Sequence, residues 1–192
     1  MIAHPYPKIS PHEYLAQERQ AEIKSEYIDG DVVAMTGASR QHNLISLNIA
    51  ASLHSQLRSR PCEIYMGDMR VAVDEAEFYT YPDIVVVCED PQFLDGELDT
   101  LLNPTLLIEV LSPSTASYDR GEKFSRYRQL SSLQEYLVVA QSTPAIEHYR
   151  KQSRREWILV DITDPEALIE LPSIQCQLAM KDIYEKVNFD SE

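Results

Sequence analysis

The sequence predicts a mixed α/β (α+β) domain, a β-sheet flanked by helices and extended by an additional β-meander. Three observations carry this. Two runs, Ile84–Val87 and Leu106–Leu111, are almost entirely aliphatic and read as central strands covered on both faces. Helix signals fall in separate segments before and after them. Beyond residue 134, three runs with strand character follow one another at hairpin spacing, Glu135–Ala140, Ile146–Tyr149 and Trp157–Val160. The length of 192 residues suits one domain with one substantial core.

Each element has a local reason. Ser10-Pro11-His12-Glu13 reads as a helix start, with Ser as N-cap, Pro at N1 and Glu closing a capping box, for a helix reaching about Gln20. Asp29-Gly30 is a hairpin turn between Glu26–Ile28 and Val32–Met35. Ser39 caps a longer helix, Arg40–Arg58, whose Ile45, Ile49, Leu53 and Leu57 recur every four residues as a buried stripe. Glu63–Met66 and Arg70–Val73 read as strands around Gly67-Asp68. The acidic connection Glu89–Asn103 reads as a surface loop. Ser112-Pro113-Ser114-Thr115 breaks the second apolar strand, and Asp119 with Glu122 offers a cap for a helix reaching about Leu130. Leu168–Leu171 and a short turn near Met180–Tyr184 close the chain.

Composition narrows the function classes. No apolar run approaches the roughly 20 residues of a membrane span, and MIAHPYPKIS has no signal-peptide pattern. Cys62, Cys88 and Cys176 are far apart in sequence and match no metal-ligand spacing, so reduced thiols in a cytoplasmic protein are expected. There is no GxSxG, HExxH, GxGxxG or Walker loop. The net charge is −14, awkward for a DNA binder, but residues 119–155 carry +4 and the remainder −18. That asymmetry leaves room for one basic face, with Arg120, Arg126, Arg128, Arg150, Lys151, Arg154 and Arg155 as candidate phosphate contacts flanking Lys123.

Two carboxylates sit where carboxylates are costly. Glu109 interrupts Leu106–Leu111, and Asp83 opens the run to Val87. A buried ionised carboxylate needs a cation, a positive neighbour or a raised pKa. If the two strands pair antiparallel, Asp83 and Glu109 project from one edge of the sheet and can share a divalent ion, for which hard oxygen ligands favour Mg²⁺ or Mn²⁺. The alternative is two strand-end acids, each salt-bridged or solvated. Lys123 borders the Phe124/Tyr127/Leu130 stripe and can lean toward that edge, or snorkel along the surface. Glu26 offers a further ligand or an exposed hairpin acid. His42, in the first turn of the long helix, can cap backbone or reach a substrate, and Tyr127 is a possible accessory group.

The order Glu26, Tyr81-Pro82-Asp83, Ile108-Glu109-Val110-Leu111-Ser112-Pro113-Ser114-Thr115, Tyr118-Asp119-Arg120-Gly121-Glu122-Lys123-Phe124 and Tyr127 resembles the Uma-two family of restriction-endonuclease-like proteins, within the PD-(D/E)XK nuclease superfamily. The resemblance runs from about Ser10 to Val160. It implies a restriction-endonuclease-like fold and hydrolysis of DNA phosphodiester bonds. It further implies Asp83 and Glu109 as ligands of Mg²⁺ (or Mn²⁺), with a backbone carbonyl near Val110 completing the set. Pro82-Asp83 and Glu109 match the superfamily pattern, and Glu26 fits its early acid. The lysine of Glu-x-Lys is replaced by Leu111, and the resemblance implies that Lys123 from the following helix takes its role. No helix-turn-helix or zinc finger marks a sequence-reading element. Three readings stand: an active endonuclease expected to be a homodimer, a nuclease-fold module binding nucleic acid or protein without turnover, and an acidic DNA mimic. The −14 charge and Leu111 favour the second, and the basic segment opposes the third.

Overall fold

The chain enters the fold through a capped helix. The computed structural model describes residues 8–73, 77–113 and 115–189. The first seven residues, where the absence of a signal peptide was read, and Ser114 of the strand-breaking stretch lie outside these. Helix α1 (Pro11–Glu18) has the expected capping box: Glu13 N–H donates to Ser10 Oγ at 3.3 Å, and Ser10 N–H donates to the Glu13 carboxylate at 2.9 Å. Strands β1 (Ser25–Ile28) and β2 (Asp31–Ala34) form the hairpin, with Asp29 at φ 49° and Gly30 at φ 96°. Helix α2 (Arg40–Leu57) is capped by Ser39 and buries Ile45, Ile49, Leu53 and Leu57 as its spacing requires.

The strands divide between two larger sheets and one small one. β3 (Glu63–Met66) and β4 (Arg70–Val73) flank Gly67 but belong to different sheets; so do β5 (Phe78–Thr80) and β6 (Ile84–Val87), which flank Tyr81-Pro82-Asp83. β7 (Thr100–Leu101), β8 (Leu106–Leu111), β9 (Glu135–Ala140), β10 (Ile146–Lys151) and β11 (Trp157–Ile162) follow. The first sheet runs β2-β1-β5-β4-β7 and the second β11-β10-β9-β8-β6-β3. The expected meander is therefore a continuation of the main sheet. β12 (Leu168–Leu171) pairs with β13 (Cys176–Ala179), and α5 (Met180–Ile183) closes the fold.

Both faces of the main sheet are covered, which explains its near-continuous apolar strands. Leu106, Ile108 and Val110 pack with the α2 stripe on one side. Leu107 and Leu111 pack on the other with Tyr127, Leu130, Tyr136 and residues of the first sheet. By alternation Glu109 points to that second side. Behind α3 (Ala116–Tyr118) comes a π-helical turn, Asp119–Lys123, continued by α4 (Phe124–Tyr127).

Three expectations are corrected. Asp119 does not cap a helix; the helical run begins at Ala116, and Asp119 is buried inside it. The stretch 89–103 is more than a surface loop, because Thr100 and Leu101 are buried and add a parallel strand beside β4. Cys62 and Cys88 are not free thiols. β3 pairs with β6 so that Glu63 faces Val87, the next residues out are the two cysteines, and they form a disulfide. Unpaired thiols therefore no longer point to a reducing compartment; Cys176 is free and buried. Among the described residues no helix is long and apolar enough to cross a membrane.

The packing of α2 can be tested on one helix. Ile49 is fully buried and Leu47 is 55% exposed. Ile49→Ala should cost about 2–5 kcal/mol in urea unfolding, whereas Leu47→Ala should stay within about 0.5 kcal/mol. Equal shifts in the unfolding midpoint would contradict this placement of α2.

Candidate active site

The chain crosses between the two larger sheets at Gly67 and again at Asp83, and the crossings are tied together: Gly67 N–H donates to the Asp83 carbonyl at 3.0 Å. Tyr81, two residues before Asp83, is anchored by a buried network. Its hydroxyl donates to Glu18 at 2.9 Å and accepts from Arg70 at 2.9 Å, while Arg70 also pairs with Asp99 at 2.9 Å. The Tyr-Pro-Asp segment is thus fixed from behind, by residues that give no sequence signal of their own.

The strand pairing is antiparallel, as expected, with Ile84 opposite Ile108. One further step sets Asp83 beside Glu109. Val110 N–H donates to Asp83 Oδ2 at 2.7 Å, and His42 Nε2 lies 3.1 Å from the same oxygen. With Asp83 ionised, Nε2 carries the proton. The α2 cap therefore has a use beyond the helix: it starts α2 where His42 can reach across to the strand.

Lys123 lies in the middle of the site. Its Nζ is 3.0 Å from Glu109 Oε1, 3.0 Å from Glu26 Oε1 and 3.6 Å from Asp119 Oδ1, and the side chain is only 6% exposed. Tyr127 donates to Glu109 Oε1 at 2.7 Å, and Thr80 Oγ1 donates to Glu26 while lying 3.3 Å from the Tyr127 hydroxyl. The first sheet supplies Glu26 and Thr80, the main sheet Glu109, and the helical run Asp119, Lys123 and Tyr127. Tyr118 sets its ring centre 5.8 Å from Nζ, and its buried hydroxyl has no partner among the described residues.

The electrostatics follow from burial. Desolvation raises Glu109 to about 8; Lys123 pulls it down, and Asp83, Asp119 and Glu26 push it further up. Desolvation also raises Asp119, against the pull of Lys123. Burial opposes the charge on Lys123, yet Glu109, Glu26 and Asp119 outweigh it and hold the ammonium well above the ordinary lysine range.

A hard divalent cation fits the donor chemistry of the Asp83/Glu109 pair. Their described bonds fall on Asp83 Oδ2 and Glu109 Oε1, leaving the second oxygen of each outside them. Among the described residues no three His, Cys, Asp or Glu side chains are grouped to hold a metal. A two-carboxylate set suits Mg²⁺, which keeps several waters and takes substrate oxygens as further ligands.

The structure brings Asp83, Glu109 and Lys123 together, as the sequence leads one to expect, and adds Glu26, His42 and Tyr127, for which the sequence left other roles open. Sequence reasoning missed Asp119, Thr80 and Tyr118. Asp119 had a signal in its i,i+4 spacing from Lys123; Thr80 had none. The idea of a single basic face flanking Lys123 is corrected. Arg120 pairs with Glu147, and Arg126 pairs with Asp29 and lies 3.9 Å from Glu122. Alternation turns Arg150 to the opposite face of β10 from Lys151. Arg128, Lys151, Arg154 and Arg155 line a separate groove.

Known proteins resemble this chain over most of its length. The profile of the Uma2 family, described as "Putative restriction endonuclease", matches residues 11–181. The chain belongs to the Uma2 family. Two Synechocystis proteins are similar along most of their length: sll1609 is 41% identical over 158 residues, covering 82% of this chain and 89% of the relative. The second, slr1290, is 37% identical over 193 residues, covering 98% and 100%. A crystal structure from Anabaena variabilis, described as a putative nuclease belonging to DUF820, superimposes with a TM-score of 0.71 at 20% identity. It covers 94% of this chain and 99% of that one, and at such identity the likeness concerns the Uma2 fold alone.

The buried cluster carries a stability test. Lys123→Met leaves three carboxylates buried around no cation and should cost about 3–5 kcal/mol. Adding Glu109→Gln should recover part of that loss, because an amide needs no counter-charge. If thermal melts find Lys123→Met as stable as wild type, the ammonium is not held among these acids.

Proposed function

We propose that the protein is a metal-dependent endonuclease that hydrolyses DNA phosphodiester bonds at the Asp83/Glu109/Lys123 cleft. One observation carries this reading above the others. Leu111 occupies the motif lysine position, yet a lysine ammonium from the next helix lies 3.0 Å from Glu109. The charge that the sequence pattern lacks is supplied in space.

In this reading Asp83 and Glu109 hold Mg²⁺ or Mn²⁺, with the Val110 carbonyl as a further oxygen ligand. When bound, the ion supplies Lewis-acid stabilisation of the phosphoryl oxygens and lowers the pKa of a bound water. His42 and the Val110 N–H orient Asp83; Tyr127 orients Glu109; Thr80 orients Glu26. Lys123 offsets negative charge growing on the phosphate and holds the attacking water in line, fixed beforehand by its carboxylate partners. The water oxygen forms the new P–O bond, the ester P–O bond breaks, and the proton released by the water ends on the leaving oxygen. A phosphate oxygen or a water also gives the Tyr118 hydroxyl the partner it lacks among the described residues. The reading includes a homodimer, for which the free edge of β11, with Ile158, Leu159 and Val160 exposed, offers a surface a second copy can extend.

The reading without turnover has its own supporting observation: Lys123 already meets three carboxylates, so its charge is strongly compensated before any phosphate arrives. Nicking of supercoiled plasmid separates the two. With Mg²⁺ or Mn²⁺ the wild type should nick DNA. Asp83→Asn should abolish metal-dependent nicking, and Lys123→Gln should slow it by about 10²–10³-fold, in preparations whose circular dichroism matches wild type. A folded wild type that binds DNA but never nicks it with either metal favours the non-hydrolytic module.

A further inference from the structure

A second cationic feature lies away from the cleft. Arg128, Lys151, Arg154, Arg155 and Trp157 line an open groove of about 830 Å³. Lys151 is committed, donating to the Ser131 carbonyl at 2.9 Å and lying 6.0 Å from the Trp157 ring centre. Arg128, Arg154 and Arg155 are exposed and, among the described residues, have no carboxylate partner. In a chain of net charge −14 this is unusual, because acids are plentiful and the neighbouring Arg120 and Arg126 have each found one. Glu156, the acid within the same turn, is held by Ser153 at 3.0 Å.

The register fixes where the groove lies. Glu109, Val138 and Glu147 form one row across β8, β9 and β10, so they project from the same face. Lys151 is on that face too, four residues beyond Glu147. That is ~13 Å along the strand and ~10 Å across two strands, or ~16 Å from Glu109. A B-form duplex presents one phosphate per ~3.4 Å on each strand, so the separation corresponds to at least ~5 base pairs. The α4 segment lies between, and a bound strand has to pass over its outer surface.

We infer that this groove is a nucleic-acid anchor remote from the cleft, in which the three unpaired arginines hold backbone phosphates against the wall formed by Lys151 and Trp157. The inference rests on the nuclease reading and gives it a substrate class. The substrate is DNA extending at least ~5 base pairs from the scissile bond on the α4 side. Short fragments and isolated phosphodiesters reach only the cleft. It also separates binding from chemistry, since the groove touches none of the groups around Lys123.

Trp157 is the only tryptophan in the chain, so its fluorescence reports on the groove and on the Phe124 ring packed against it. The test titrates wild type and the Arg128→Gln/Arg154→Gln/Arg155→Gln variant with a long duplex under chelation, across a salt series. Wild-type fluorescence should change on binding. The variant should lose at least about tenfold in affinity at low salt, with a log–log salt slope shallower by about 3, since each phosphate contact contributes ~0.9. In cleavage of long DNA the variant should raise KM and leave kcat unchanged. On DNA too short to reach the groove the two proteins should behave alike. Unchanged affinity and a silent Trp157 overturn the anchor. So does inorganic polyphosphate matched in charge that binds as tightly as DNA and is lost equally in the variant, since that describes a general anion patch. Because binding is read without metal, a wild type that binds here and never cleaves fails the nuclease reading and leaves the anchor standing.

Discussion

The structure depends on one buried ammonium. Lys123 is 5% exposed and lies within 4 Å of Glu26, Glu109 and Asp119, each less than a tenth exposed. None of these acids tolerates burial without it, and the lysine in turn could not stay charged there without them. They come from a hairpin of one sheet, the central strand of another and the helical run that carries the lysine. The cluster therefore acts as a joint, and the price of assembling it is met by the apolar packing on either side, where the main sheet is covered by α2 on one face and by the aromatic groups of the α4 side on the other.

The backbone around this joint is arranged to serve it. The helical run does not continue as a regular α-helix through 119–123 but takes a π-helical turn, a geometry in which one extra residue is inserted and side chains are re-aimed. Asp119 and Lys123 then both face the sheet, and Tyr127 follows at the next turn to reach Glu109. Behind the cleft, the Arg70–Tyr81–Glu18 network holds the residues preceding Asp83, so that the main-chain crossing at Gly67 and Asp83 is braced from both sides. A second buried set, Glu135 with His148 at 2.8 Å and the Ser173 N–H at 2.9 Å, does comparable work at the other end of the main sheet by tying the β12–β13 loop to β9 and β10. It holds structure together away from the cluster around Asp83 and Glu109.

Much of this was legible because the signals were local or periodic. The capping box at Ser10, the Asp29-Gly30 turn, the four-residue stripe of α2 and the misplaced acids Asp83 and Glu109 each announce themselves within a few residues. What was hidden depended on register between distant segments. Nothing near Cys62 or Cys88 indicates a bond; only the pairing of β3 with β6 sets them opposite each other. Thr80 and Tyr118 look like ordinary strand and helix residues until Glu26 and Lys123 are placed beside them. The basic segment misled for the same reason. A count over residues 119–155 gives one positive patch, while side-chain alternation along β10 and the acids at Glu147, Asp29 and Glu122 divide it into neutralised cations, an inward-turned Arg150 and a groove.

The division of charge also answers the difficulty raised by a net charge of −14. Phosphate binding needs cations only where the phosphates travel, and fields fall off within about 8–10 Å at ordinary ionic strength. Acids such as Asp95, Asp99 and Asp68 are bound to Arg19, Arg70 and Lys24, so part of the negative surface is already compensated by short ion pairs. The cleft itself is acidic and holds four carboxyl groups, Asp83, Glu109, Glu26 and Asp119, for one ammonium, which disfavours a bare phosphate and favours one that arrives with a divalent cation. Arg128, Arg154 and Arg155 are different, exposed and, among the described residues, without such partners, and their attraction needs no metal. On the proposed nuclease reading, an acidic site that admits phosphate only together with a cation, served by a basic groove beyond its screening length, would give affinity and chemistry separate ionic requirements within one small fold.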